Sequence, residues 1–147
     1  MSKLRLTPYA PKESDEQAEV IDWCAEMVHW KKHPELAGIF AIPNGSVLAG
    51  DNRHRAIQMA RLKAQGLRPG IPDLALPISR RGFAALFIEM KSTRPDARET
   101  EEQIAWRAWL NAHGNHAVVC AGAKEAIAIL TWYLGGDRAY PQLSKEQ

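Results

Sequence analysis

Asp73, Glu89 and Lys91 are the residues of this chain whose types and spacing could do chemistry. Each acid lies in a short segment rich in branched and aromatic residues, 73–78 and 84–91, with Ser79-Arg80-Arg81-Gly82 between them. Such segments predict two strands of a hairpin. A loop over 79–83 centred on Arg81 sets Asp73 opposite Glu89 and Ile78 opposite Ala84, with opposed β-carbons about 4.5–5.5 Å apart on one face. Lys91 lies two residues beyond Glu89 and shares that face, whereas Met90 points away. Two facing carboxylates are destabilising unless something neutralises them. One resolution is a cross-strand salt bridge with Lys91. The other is a hard divalent cation, Mg2+ or Mn2+, which takes carboxylate oxygens and leaves positions for water and a phosphate oxygen. Such an ion would activate water and stabilise charge on phosphorus, with Lys91 orienting or helping to deprotonate the attacking water.

The elements that must position this patch are legible in outline. Val20, Ile21, Trp23, Cys24, Met27 and Val28 recur at helical spacing and predict a helix over 15–33, ended by Pro34. Residues 38–42 predict a strand that stops at Pro43-Asn44-Gly45. A helix over 52–65 is closed by Gly66, and Pro69-Gly70-Ile71-Pro72 forms a rigid turn into the hairpin. Thr100-Glu101-Glu102-Gln103 has the pattern of a capping box and starts a helix to about residue 113, where Gly114 stops it. A strand over 116–121 and a helix over 123–134, ended by Gly135-Gly136, complete the order. The expected fold is α/β with a mixed central sheet flanked by helices. The hairpin requires antiparallel neighbours, and the 91–116 crossover allows a parallel pair.

At 147 residues, with 46% hydrophobic and 24% charged, the chain suits one globular domain spanning 1–147. No apolar run approaches the roughly 20 residues of a membrane helix, and the first residues lack an apolar signal core, so a cytoplasmic protein is expected. Cys24 and Cys120 lie in apolar surroundings and are expected as buried free thiols. The net charge of +2 is unremarkable, but its distribution is not. Arg53, Arg55, Arg61, Lys63, Arg68, Arg80 and Arg81 crowd the middle of the chain between acidic stretches. They could hold a phosphate backbone over one face, or simply be solvated helix and turn charge. His29 and His33 share a helix face without a third metal ligand and are expected as surface or capping residues. Trp23, Trp106, Trp109 and Trp132 fall at core-like spacing, which leaves Trp30, beside Lys31 and Lys32, as a phosphate or base contact.

Pro72-Asp73 followed by Glu89-Met90-Lys91 is the PD-(D/E)XK signature of the restriction-endonuclease-like superfamily. Its surroundings extend the match: Glu13-Ser14-Asp15-Glu16-Gln17 before the first helix, Ile42-Pro43-Asn44-Gly45, Gly66-Leu67-Arg68-Pro69-Gly70-Ile71-Pro72-Asp73, Leu86-Phe87-Ile88-Glu89-Met90-Lys91, and Glu102-Gln103. Together they resemble a standalone VRR-NUC domain (virus-type replication-repair nuclease) over roughly residues 13–134.

The resemblance implies a metal-dependent nuclease on a restriction-endonuclease-like core. Asp73 and Glu89 would be Mg2+ or Mn2+ ligands, the Met90 carbonyl a further one, and Lys91 the catalytic lysine. The first-helix glutamate falls on Glu13, with Glu16 as the competing choice. Gln103 matches the glutamine that follows the lysine, although N3 of a capping box explains it equally well. Asn44 and Gly45 match an Asn-Gly turn that would contact DNA. Ser46 replaces the usual second glycine, and residues 47–52 depart from the pattern. DNA would be held by Arg53, Arg55, Lys63, Arg68, Arg80, Arg81 and Asn44. The family further implies a homodimer acting on branched DNA, a junction or a flap, in a bacterial or phage-infected cell, with a specificity-giving partner protein left open. The rival expectation is a noncatalytic nucleic-acid-binding module that keeps the nuclease fold.

Overall fold

A computed structural model describes residues 9–44, 48–135 and 139–145. In chain order the elements are α1 (Glu13–His29), a 3-10 turn (Pro34–Gly38), β1 (Phe40–Ala41), α2 (Asn52–Ala64), β2 (Leu74–Leu76), β3 (Leu86–Lys91), α3 (Glu101–Ala112), β4 (His116–Ala121) and α4 (Gly122–Leu134). The four strands form one sheet in the order β1-β2-β3-β4. Its first two pairings are antiparallel and the last, β3 with β4, is parallel. The α/β fold with a mixed sheet is therefore as expected.

Side-chain alternation divides this sheet into an apolar and a chemical face. Leu74, Leu76, Leu86, Ile88, Met90, Val118 and Cys120 pack with Val20 and Cys24 of α1 and Ile129, Leu130 and Tyr133 of α4. The alternate residues, Glu89 and Lys91 among them, lie on the face served by α3. Tyr133 ties α4 to the hairpin by donating from its hydroxyl to the Ile78 carbonyl at 2.6 Å. Both cysteines are free and buried, and burial pushes the Cys24 thiol up to about 11.

The first helix ends four residues before the expected 33. Lys31 adopts a left-handed conformation (φ 55°), its N–H bonds to the Val28 carbonyl, and that of Lys32 bonds to the Met27 carbonyl. This is a Schellman stop with lysine in the position glycine usually takes. The expected strand over 38–42 shrinks to two residues because Pro34–Gly38 coils into a 3-10 turn first. The hairpin keeps its expected register, Leu74 with Ile88 and Leu76 with Leu86, but its ladder is only three pairs long. Ile78 does not pair with Ala84: the Ile78 N–H turns back to the Leu76 carbonyl, and that of Ala84 goes to Gly114. Arg81 and Gly82, both at positive φ, close a tight turn between Arg80 and Phe83, the conformation that suits strand twist in two-residue loops. Trp109 corrects the core assignment of the tryptophans: it is 52% exposed and stacks on His113. Trp30 is exposed as expected. Gly45, Ser46, Val47 and Gly136 lie outside the described residues.

Candidate active site

One residue beyond the β2–β3 ladder, the backbone register sets Asp73 opposite Glu89. Asp73 is fixed twice. Its carbonyl accepts from Ile42 N at 2.8 Å, continuing the β1 pairing, and its Oδ2 accepts from Met90 N at 2.8 Å. The side chain thereby takes a donor of the neighbouring strand. Burial pushes the Asp73 carboxyl above its usual range; the Met90 N–H and Lys91 act against that shift, and Glu13 adds to it.

Glu89 is 4% exposed and Lys91 8%. Lys91 Nζ lies 3.2 Å from Glu89 Oε1, and the same oxygen accepts a 2.6 Å hydrogen bond from Gln103 Nε2. Glu89 Oε2, by contrast, is buried without a hydrogen-bond partner. An unmatched buried acceptor costs roughly 1–3 kcal/mol, and more when charged. Burial first, then the charge of Asp73, push the Glu89 carboxyl up to about 8 against the pull of Lys91. Without a further positive charge this carboxyl keeps its proton near neutrality.

Gln103 reaches the site because α3 starts where it does. Thr100 Oγ1 accepts from Gln103 N, and Gln103 Oε1 accepts from Thr100 N at 2.8 Å, a complete capping box. The cap and the contact with Glu89 use opposite ends of one amide, so capping α3 also brings Gln103 to Glu89. Gly70 makes room for the start of α3: at φ 85° it lies so close that a β-carbon would stand 2.6 Å from the Glu102 backbone.

Glu13 and Glu16, both in the first turn of α1, have different occupations. Glu13 Oε1 accepts from Ser92 N at 3.1 Å, just beyond Lys91. It reaches Asp73 by its field but does not join a cluster, since among the described residues no three His, Cys, Asp or Glu side chains group around one point. Glu16 does more than favour its own helix dipole: its Oε2 accepts from Ala123 N, in the first turn of α4. No spacing rule could have joined residues so distant in sequence. Arg107 and Glu99, eight residues apart, form a two-bond pair at 2.8 and 3.0 Å on the site's side of the sheet. Met90 contributes main chain here, because its side chain belongs to the core.

The basic residues divide. Arg53, Arg55 and Lys63 stand on α2, which buries none of its residues, and exposed Arg68 follows, donating to the carbonyls of Lys63 and Leu67. Asn44 is exposed beyond β1. Arg80 and Arg81 are at the opposite end of the hairpin from Asp73. Arg80 pairs with Glu35 at 3.1 Å; Arg81 donates to the Trp132 carbonyl and lies 4.4 Å over its ring. They hold the hairpin tip to the body of the domain and are not brought to the carboxylates.

A family model described as VRR-NUC domain matches residues 10–124. A solved structure described as a VRR_NUC domain protein is similar over 86% of this chain and 90% of that one, with a TM-score of 0.67 and 24% identity. No curated protein matches. Among the described residues, no helix is long and apolar enough to cross a membrane.

Proposed function

This chain belongs to the VRR-NUC domain family, a family of nuclease-type domains, and we propose that it is a DNA endonuclease working with Mg2+ or Mn2+ held by Asp73 and Glu89. The observation that carries the reading is Glu89 Oε2, a buried carboxylate oxygen with no hydrogen-bond partner. A cation fits what this site lacks: a positive charge to ionise Glu89 and to relieve its repulsion by Asp73. The donors are hard oxygens, two carboxylates with the Met90 carbonyl beside them, which suit Mg2+ or Mn2+ better than a thiophilic ion. Glu13 would complete the set from the rim. Bound there, the ion would offset charge on the reacting phosphate and lower the cost of ionising water.

The chain's own groups divide the remaining work. Gln103 and Lys91 both engage Glu89 Oε1, which leaves Oε2 as the uncommitted oxygen. The Met90 N–H holds Asp73. Lys91 Nζ, buried beside the carboxylates, would orient the attacking water and offset transition-state charge. DNA would be held by Arg53, Arg55 and Lys63, with Arg68 and Asn44. A helix with no fully buried residue that carries these cations is suited to a polyanion. The preferred substrate would be branched DNA, a junction or a flap, and cutting both arms of a junction symmetrically calls for a homodimer.

Labelled four-way junction, flap and duplex DNA, incubated with Mg2+, Mn2+ or EDTA, test the reading. Metal-dependent cutting that Asp73→Ala and Lys91→Ala both abolish is the expected result. DNA binding without cutting, together with no Mn2+ binding by calorimetry, would make this a noncatalytic binding module. Light scattering that finds only monomer would remove the symmetric dimer.

A further inference from the structure

Lys91 also forms part of the wall of a cavity of about 710 Å3, which the β3–α3 connection closes on one side and Ser144 and Lys145 on another. None of the residues assigned above to DNA lies in it. Its volume falls within the roughly 300–1,000 Å3 of small-ligand sites. A volume of this order suits a single nucleotide released from its stack.

The wall has the two chemistries that such a nucleotide presents. Pro95 and Ile104 supply apolar surface for a base. Ile104 is 48% exposed on α3, so it is a large apolar side chain left outside the core. Arg98 and Lys145 supply positive charge, while Lys91 at the back of the wall is paired with Glu89. The acid in the wall, Glu99, is spent on Arg107 through two hydrogen bonds. Arg98 donates to the Pro95 and Ala97 carbonyls and makes no ion pair among the described residues. Lys145 Nζ is held at 3.0 Å by the Arg94 carbonyl. The cavity wall therefore sets more cations than anions beside an apolar surface, the combination used by proteins that bind unstacked nucleotides.

We propose that this cavity binds the unpaired nucleotide next to the scissile phosphate. DNA would then be selected by whether a nucleotide can leave the stack at the cut position. This rests on the nuclease reading of Asp73, Glu89 and Lys91 and adds a site beside them.

Two exposed positions allow a test without threatening the core: Arg98→Ala removes charge, and Ile104→Ala removes apolar surface while leaving the charge unchanged. Anisotropy of a labelled thymidine hexanucleotide, with Ca2+ in place of Mg2+, should show each variant binding roughly fivefold or more weakly than wild type. With Mg2+, flap cutting should fall roughly tenfold further than duplex cutting in both variants. Unchanged hexanucleotide affinity in Ile104→Ala would overturn the proposal, as would flap and duplex rates falling in equal proportion. If the wild type cuts nothing, the nuclease reading fails, and the affinities still decide the cavity.

Discussion

Gln103 donates from Nε2 to Glu89 Oε1 at 2.6 Å while its own Oε1 accepts from Thr100 N at 2.8 Å. The helix cap fixes which end of the amide faces the carboxylate, so secondary structure sets the donor at the site. Two substitutions separate the roles. Gln103→Ala removes both and should cost about 1 kcal/mol, the usual worth of a cap. Gln103→Glu keeps an acceptor for the Thr100 N–H but turns a second acceptor toward Glu89. Both should slow cutting roughly ten- to hundredfold, the cost of a carboxylate out of place, yet only the alanine variant should lose stability at acid pH. Thermal melts at pH 5 and 8 beside cleavage rates check this. A Gln103→Glu variant that cuts like wild type would detach Gln103 from the site.

Glu89 gives the metal-stripped protein a pH dependence. Its folded-state value, about 8, lies above the ordinary 4.5. Between those values the folded carboxyl holds a proton that the unfolded chain has released, so the unfolded state binds fewer protons and stability falls as pH rises. In EDTA the melting temperature should drop from pH 5 to pH 8. Glu89→Gln should flatten that decline, because it removes the group that titrates. Adding Mn2+ should raise the wild-type melting temperature and leave Glu89→Gln nearly unmoved. A wild-type melting temperature in EDTA that rises between pH 5 and 8 would contradict the burial argument.

Most of the sheet was legible in the sequence because side-chain period and turn residues are local signals. The Asp73–Glu89 register follows from the hairpin, and the α3 cap from Thr100 and Gln103. What escaped depends on distance in sequence. Glu16 capping the start of α4 and Tyr133 anchoring Ile78 have no short-range pattern. Arg80 and Arg81 looked like their basic neighbours, but Glu35 and Trp132, which engage them, are brought in only by the tertiary fold. The first helix stopped early because Lys31 takes a backbone conformation that lysine seldom adopts.

Gly70 connects a turn to the chemistry. A β-carbon there would approach the Glu102 backbone to 2.6 Å and Gln103 N to 2.8 Å, at a φ of 85° that side chains disfavour. Gly70→Ala must push α3 away or strain the turn, and overpacking with such strain costs roughly 1–3 kcal/mol each. Because the displaced residues carry Gln103, cutting should fall more than folding does. Residual activity at a temperature well below the melting point separates these effects. Full activity in a destabilised variant would show that the start of α3 can shift without disturbing Glu89.

Binding to α2 should be electrostatic and therefore readable in salt. This helix buries none of its residues and has Arg61 and Lys63 in its last turn, with Arg53 and Arg55 near its start. Its exposed charge is not needed for packing, so Arg53→Ala, Arg55→Ala and Lys63→Ala combined should leave the melting temperature within about one or two degrees, as surface changes do. For every phosphate that these cations no longer neutralise, the slope of log affinity against log salt should become shallower by about 0.9 on duplex DNA. The triple variant should therefore bind duplex more weakly at low salt and converge with wild type as salt rises. Arg80→Ala should leave the slope alone and instead lower stability, because it leaves Glu35, partly buried in their 3.1 Å ion pair, without its partner. If the slope changes with Arg80 and not with the α2 residues, DNA runs along the hairpin tip, and the cations on α2 serve something else.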